Sequence, residues 1–163
     1  MNLWGQLGSA FSAWWSNPRM SWSVRFSWTG VNNMTFKFFD PIRDPLIVGL
    51  DDRLMLMLDS ARDVAGVPFT ITSGKRTPEQ NACLHGAAAD SAHLSGLAVD
   101  LQVQDDHSLE RILWGLHKAG FVRFGLYVKQ STGIPSKLLP HHIHVDIDEN
   151  KPQQYMWVLK ELN

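Results

Sequence analysis

Apolar residues open the chain at helical spacing. Leu3, Trp4, Leu7, Phe11, Trp14 and Trp15 recur on one side, and Asn2, Gln6, Ser9, Ser12 and Ser16 fill the other. The pattern predicts an amphipathic helix that stops before Asn17 and Pro18. The period then drops to two. Trp22, Val24, Phe26 and Trp28 alternate with Ser21, Ser23, Arg25 and Ser27, and Met34, Phe36 and Phe38 alternate again after a turn at Thr29, Gly30, Asn32 and Asn33. This predicts a β-hairpin over residues 21–39.

From residue 40 the pattern changes to that of a compact domain. Leu50, Leu54, Met57, Leu58, Ala61 and Val64 form a helical stripe closed by Gly66. Phe69 to Thr72 reads as a short strand. Thr77, Pro78 and Gln80 have the form of a capping box, so a helix is expected to run to about Leu84. Small and polar residues over 86–92 predict a loop, and Leu97 to Val103 a strand. Ser108 is the expected cap of a helix carrying Leu109, Ile112, Leu113 and Leu116 and ended by Gly120. Phe121 to Val128 and Ile143 to Ile147 read as strands. Pro152 is expected to open a last short helix with Tyr155, Met156 and Leu159. Helices and strands mix without a βαβα rhythm, so the predicted class is α+β. The division that follows is an N-terminal helix and hairpin over 1–39, packed on a domain over 40–163.

Charge and composition narrow the function. The 15 basic and 16 acidic residues nearly cancel, and no basic run forms a phosphate-binding stripe, so a nucleic-acid partner is not expected. Cys83 is the single cysteine, which excludes an internal disulfide and a thiolate zinc cluster. No run approaches about 18 apolar residues, so no membrane span is expected. No Lys or Arg precedes Arg19 and the apolar residues there are spaced, so no secretory signal is expected either. Five of the seven tryptophans fall in the first 28 residues, which raises a membrane or partner anchor as a second reading of residues 1–33. The polar face of that helix carries no lysine, so packing on the domain is the favoured reading.

The residues able to do chemistry are His93, Asp100, His142 and His144. Alternate residues of a strand share a face, so His142, His144 and Asp146 are expected on one side. Two imidazoles and a carboxylate form a divalent-metal site with a position left for water, the arrangement of catalytic zinc. A His-x-His pair alone is a weak signal, and Asp100 strengthens it only if its strand lies beside that of His144.

The longer text is more specific. Ser91, His93, Gly96, Ala98 and Asp100 spell S-x-H-x-x-G-x-A-x-D, and Ser73, Gly74, Arg76 and Asn81 spell S-G-x-R-x-x-x-x-N after a strand. Gly120-Phe121, Gly125-Leu126-Tyr127 and His142-Ile143-His144-Val145-Asp146 follow. In this order the motifs resemble the zinc D-Ala-D-Ala carboxypeptidase family of peptidoglycan peptidases, which shares its fold with the signalling domain of hedgehog proteins. The resemblance spans roughly residues 45–147. It implies a small, mostly antiparallel sheet flanked by helices, and one zinc per chain held by His93, Asp100 and His144. It also implies that Arg76 binds substrate and polarises its carbonyl, with Ser91 as a further substrate or supporting contact. Where many relatives carry an acidic base three residues before the last ligand, this chain has His141. Others carry His two residues before it, here His142. A regular strand favours His142 as the base, and a bulge after Pro140 would bring in His141.

The implied substrate is the stem peptide of bacterial peptidoglycan, cut at terminal D-Ala-D-Ala, at a D-Ala cross-link or at L-Ala-D-Glu. The His-x-His form favours the first two. The rival reading is a non-catalytic zinc module of the same fold. A phage-encoded or cytoplasmic bacterial protein acting on cell wall or its fragments fits the absence of a signal.

Overall fold

The computed structural model of the protein describes residues 35–130 and 138–160. The expected N-terminal helix, and the hairpin up to residue 34, lie outside the described residues. Residues 35–39, assigned to the second hairpin strand, carry no strand. Two of their amides are taken by a side chain instead. Asp59 accepts from the Lys37 amide at 3.0 Å and the Phe38 amide at 2.9 Å, so no ladder is needed to satisfy them.

A short 3₁₀ turn over Pro45–Ile47 leads to helix α1, Asp52–Ala65. The Asp51 carboxylate caps α1 by accepting from the amides of Arg53 and Leu54, and Gly66 ends it at φ 67°. Strand β1 is Ile71–Ser73. Helix α2, Pro78–Ala82, starts with the expected capping box of Thr77 and Gln80. Strand β2, Ala98–Gln102, is followed by helix α3, Asp106–Lys118. The cap of α3 is Asp105 rather than Ser108. Ser108 is the third helical residue, and its hydroxyl accepts from the Asp105 amide to complete a second capping box. Strands β3, Arg123–Gln130, β4, Leu138–Asp146, and β5, Tyr155–Lys160, complete the order.

Among the described residues the five strands form one sheet in the order β1-β2-β4-β3-β5. All pairs are antiparallel except β3 with β5. The expected C-terminal helix is therefore wrong: residues 155–160 are a parallel edge strand. Pro152 still precedes it, but Tyr, Trp and Val suit a pleated surface, and the pairing partner lies 32 residues upstream.

The sheet has two unlike faces. Val99, Leu101, Ile143 and Val145 are fully buried and pack with Leu54 and Leu58 of α1 and Ile112 and Leu116 of α3. Each such side chain contributes roughly 1.5–3 kcal/mol by leaving water. α1 and α3 meet at Gly115, where an added Cβ would lie 2.3 Å from the Ala61 carbonyl oxygen. The other face carries the polar residues. Ser73, Asp100, His144, Gly125 and Trp157 are in register, one per strand, and form a row across the whole sheet. No helix among the described residues is long and apolar enough to cross a membrane.

Candidate metal centre

The row across the sheet explains how residues 44 positions apart meet. Asp100 on β2 pairs with His144 on β4, and both point to the face away from the helices. His93 reaches the same point from the loop between α2 and β2. That loop is held by its backbone. The Arg76 amide donates to the His93 carbonyl at 3.0 Å, the Asp51 amide to Gly96 at 3.0 Å, and the Asn81 side chain to the Ala88 carbonyl at 2.9 Å. Gly96 sits at φ 75°, and a Cβ there would meet the Gly49 oxygen at 2.5 Å, so no other residue fits.

His93, Asp100 and His144 bring one donor atom each within 4.8 Å of one another. His93 Nε2 is 3.2 Å from His144 Nδ1 and 3.3 Å from Asp100 Oδ1, and His144 Nδ1 is 2.9 Å from Asp100 Oδ1. The edges of a tetrahedral zinc site with bonds of about 2.0–2.1 Å are roughly 3.3 Å. The outer atoms fix what the inner ones offer. His93 Nδ1 donates to the Gly74 carbonyl at 2.7 Å, and His144 Nε2 donates to Asp146 Oδ2 at 3.1 Å. In those tautomers the inner nitrogens carry no proton. Two imidazole lone pairs and a carboxylate oxygen then converge on one point with no donor among them, which is a ligand set that fits a divalent cation.

The electrostatics agree. Burial opposes the charge on Asp100, but the imidazoles of His144 and His93 beside it outweigh burial and hold its carboxyl far below the usual carboxylate range. Burial also opposes charge on His144, and hydrogen bonds to Asp100 and Asp146 overcome it, so its pKa is raised. The carboxylates of Asp100 and Asp146 thus favour positive charge at this point of the site.

Arg76 stands at the same centre. Its Nη2 donates to Asp100 Oδ2 at 2.6 Å and its Nε to the Ser73 hydroxyl at 2.9 Å. It therefore holds the carboxylate oxygen that does not face the histidines. Gly74 supports the other side, since a Cβ on it would lie 1.9 Å from the Leu46 carbonyl oxygen. The Ser91 hydroxyl accepts from the His93 amide at 3.4 Å, a local turn bond beside the ligand.

β4 carries a bulge. Tyr127 pairs with His142 and Val128 with Pro140, which leaves His141 as the extra residue. As a result His141 and His142 lie side by side, their Nδ1 atoms 3.0 Å apart. His142 stacks on Tyr127 with ring centres 4.2 Å apart, and Lys129 donates to His141 Nε2 at 3.0 Å.

Two residues of this face carry no motif signal. Arg123 donates from Nε to Asp146 Oδ2 at 2.8 Å. Trp157 lies over Gly125, with its ring centre 5.6 Å from that of His144. Arg123 reads in sequence as an ordinary strand charge, and Trp157 falls in the segment read as a helix. Only strand pairing reveals them.

The family model described as peptidase M15 matches residues 37–146, more than half of the chain. No curated protein matches. Among solved structures, the L-Ala D-Glu endopeptidase ChiX of Serratia marcescens is similar at 16% identity, over 62% of this chain and 84% of that one, with a TM-score of 0.41.

Proposed function

The chain belongs to the peptidase M15 family, and on that premise we propose that it is a zinc-dependent peptidase hydrolysing an amide bond in the stem peptides of bacterial peptidoglycan. The observation that carries the zinc is the convergence of His93 Nε2, Asp100 Oδ1 and His144 Nδ1, each residue held from behind by a separate partner. The substrate class rests on the motifs over residues 73–146 that resemble the zinc D-Ala-D-Ala carboxypeptidases.

His93, Asp100 and His144 would hold the zinc, which supplies Lewis acidity and so a water acidic enough to attack at neutral pH. Arg76 keeps Asp100 in place and sets a planar cation beside the reaction point. A guanidinium there is suited to a peptide carboxylate or to the oxygen that gains charge as the amide is attacked. His142 shares the face of His144 and is the first candidate for proton transfer. Lys129 Nζ lies 3.0 Å from His141 Nε2, and His141 Nδ1 lies 3.0 Å from His142 Nδ1. His142 would accept the proton of the attacking water and, as the imidazolium so formed, return it to the departing amine. The bulge makes the two histidines a coupled pair, so both enter the test.

That test is hydrolysis of purified muropeptides by the zinc-loaded chain. His142→Ala is expected to lower kcat by on the order of a hundredfold or more, and His141→Ala by less. Equal and undiminished rates in both variants would remove the pair from the mechanism.

A further inference from the structure

β5 lies beyond the residues matched by the family model, and its sequence shows no metal ligand. It nevertheless lies beside the site. Trp157 is the last member of the row Ser73, Asp100, His144, Gly125, Trp157. Gly125 has no side chain, and a Cβ there would lie 2.5 Å from the indole. The indole uses that gap to lie over the strand and beside His144. Its face also receives Arg123, whose guanidinium carbon is 4.8 Å from the Trp157 ring centre and 5.7 Å from that of Tyr155. The carbonyl of Pro152, just before β5, accepts from Arg123 Nη1 at 2.9 Å.

So held, Arg123 points Nε at Asp146 Oδ2. That same oxygen accepts from His144 Nε2. Asp146 is almost fully buried and Arg123 mostly so. The arginine holds the Asp146 carboxylate in one orientation, and an acceptor fixed there takes the proton of His144 on Nε2. The lone pair of Nδ1 is then turned to the ligand cluster.

We propose that Arg123 is a positioning residue for the metal centre, and that β5, through Trp157, Tyr155 and the Pro152 carbonyl, is the element that positions it. The inference rests on the proposed zinc centre, because its consequence is a ligand tautomer suited to metal.

The test compares full-length wild type, Arg123→Gln and Trp157→Leu. One readout is the zinc dissociation constant, measured by competition with a chromogenic chelator. The other is the ¹⁵N shift pattern of the His144 ring in metal-free protein at alkaline pH, where the ring is neutral. Wild type is expected to show the Nε2–H tautomer. Arg123→Gln is expected to bind zinc ten- to a hundredfold more weakly and to show mixed tautomers, with Trp157→Leu shifted the same way to a smaller extent. A folded Arg123→Gln with wild-type zinc affinity and a pure Nε2–H ring overturns the proposal. If Arg123→Gln does not fold, Trp157→Leu decides by the same two criteria, since it leaves the side chains of Arg123, Asp146 and His144 unchanged. A wild type that binds no zinc overturns the metal centre, and the metal-free tautomer still decides the role of Arg123.

Discussion

Arg76 joins two tasks in one side chain. Its Nε–H and Nη2–H are both engaged, on Ser73 and Asp100, and the fork geometry is what allows it. A lysine keeps the charge but has one point of donation, so it cannot satisfy both partners and face a substrate. Arg76→Lys is expected to lower kcat/KM by about a hundredfold, with zinc still bound at one per chain; steady-state kinetics beside elemental analysis checks this. Wild-type kinetics would return Arg76 to a purely structural role. Gly74 makes a different case. A methyl group 1.9 Å from a backbone oxygen forces the turn to move, and the carbonyl that holds His93 moves with it. Gly74→Ala is expected to cost about 1–3 kcal/mol of stability by overpacking, read as a lowered midpoint in denaturant, and to weaken zinc binding together with it. At this scale much was legible. His93, Asp100, His144, Arg76 and Gly74 all stand in the motifs, and the fold brings them together. Arg123 was not legible, because its partners at residues 146, 152, 155 and 157 reach it only through strand pairing.

Among the elements, those with local signals matched their expectation. α1 has a stripe and a Gly66 cap, and α2 has its capping box. The elements that departed from expectation are decided by distant partners. In residues 35–39, Lys37 and Phe38 give their amides to Asp59 instead of a strand. Residues 155–160 pair with β3, which no local period can announce. The bulge at His141 is intermediate: Pro140 suggested it, and the register of β3 against β4 places it. Gly115 allows a prediction where two effects oppose. Alanine gains about 1 kcal/mol of helix propensity over glycine. Its Cβ would lie 2.3 Å from the Ala61 oxygen and 2.8 Å from the Ala65 Cβ, and prying α1 from α3 costs about 1–3 kcal/mol. Because the closest contact is backbone, the cost is expected to win. Gly115→Ala should lower Tm, with zinc affinity unchanged because the helix interface lies on the opposite face of the sheet. A raised Tm would show that the helices separate freely.

In the molecule as a whole the sheet divides the labour. One face buries Val99, Leu101, Ile143 and Val145 against α1 and α3, and the other sets Asp100, His142, His144 and Asp146 in alternate positions of the same strands. A rigid, apolar back holds a polar front to the tolerance a metal site needs. The α+β class was legible from the change of period along the chain, and the strand order was not, because period says nothing about which strand lies beside which. The central claim is that three residues on the polar face hold a catalytic zinc. It is tested most directly by mass spectrometry of muropeptides incubated with the zinc-loaded chain, the chelator-stripped chain, the stripped chain with zinc restored, and the His93→Ala, Asp100→Ala, His144→Ala triple variant. The expected result is cleavage of one amide bond by the loaded and restored chains, and none by the stripped chain or the variant. Cleavage that survives stripping or the triple substitution, or a chain with one zinc that cleaves nothing, would contradict the account.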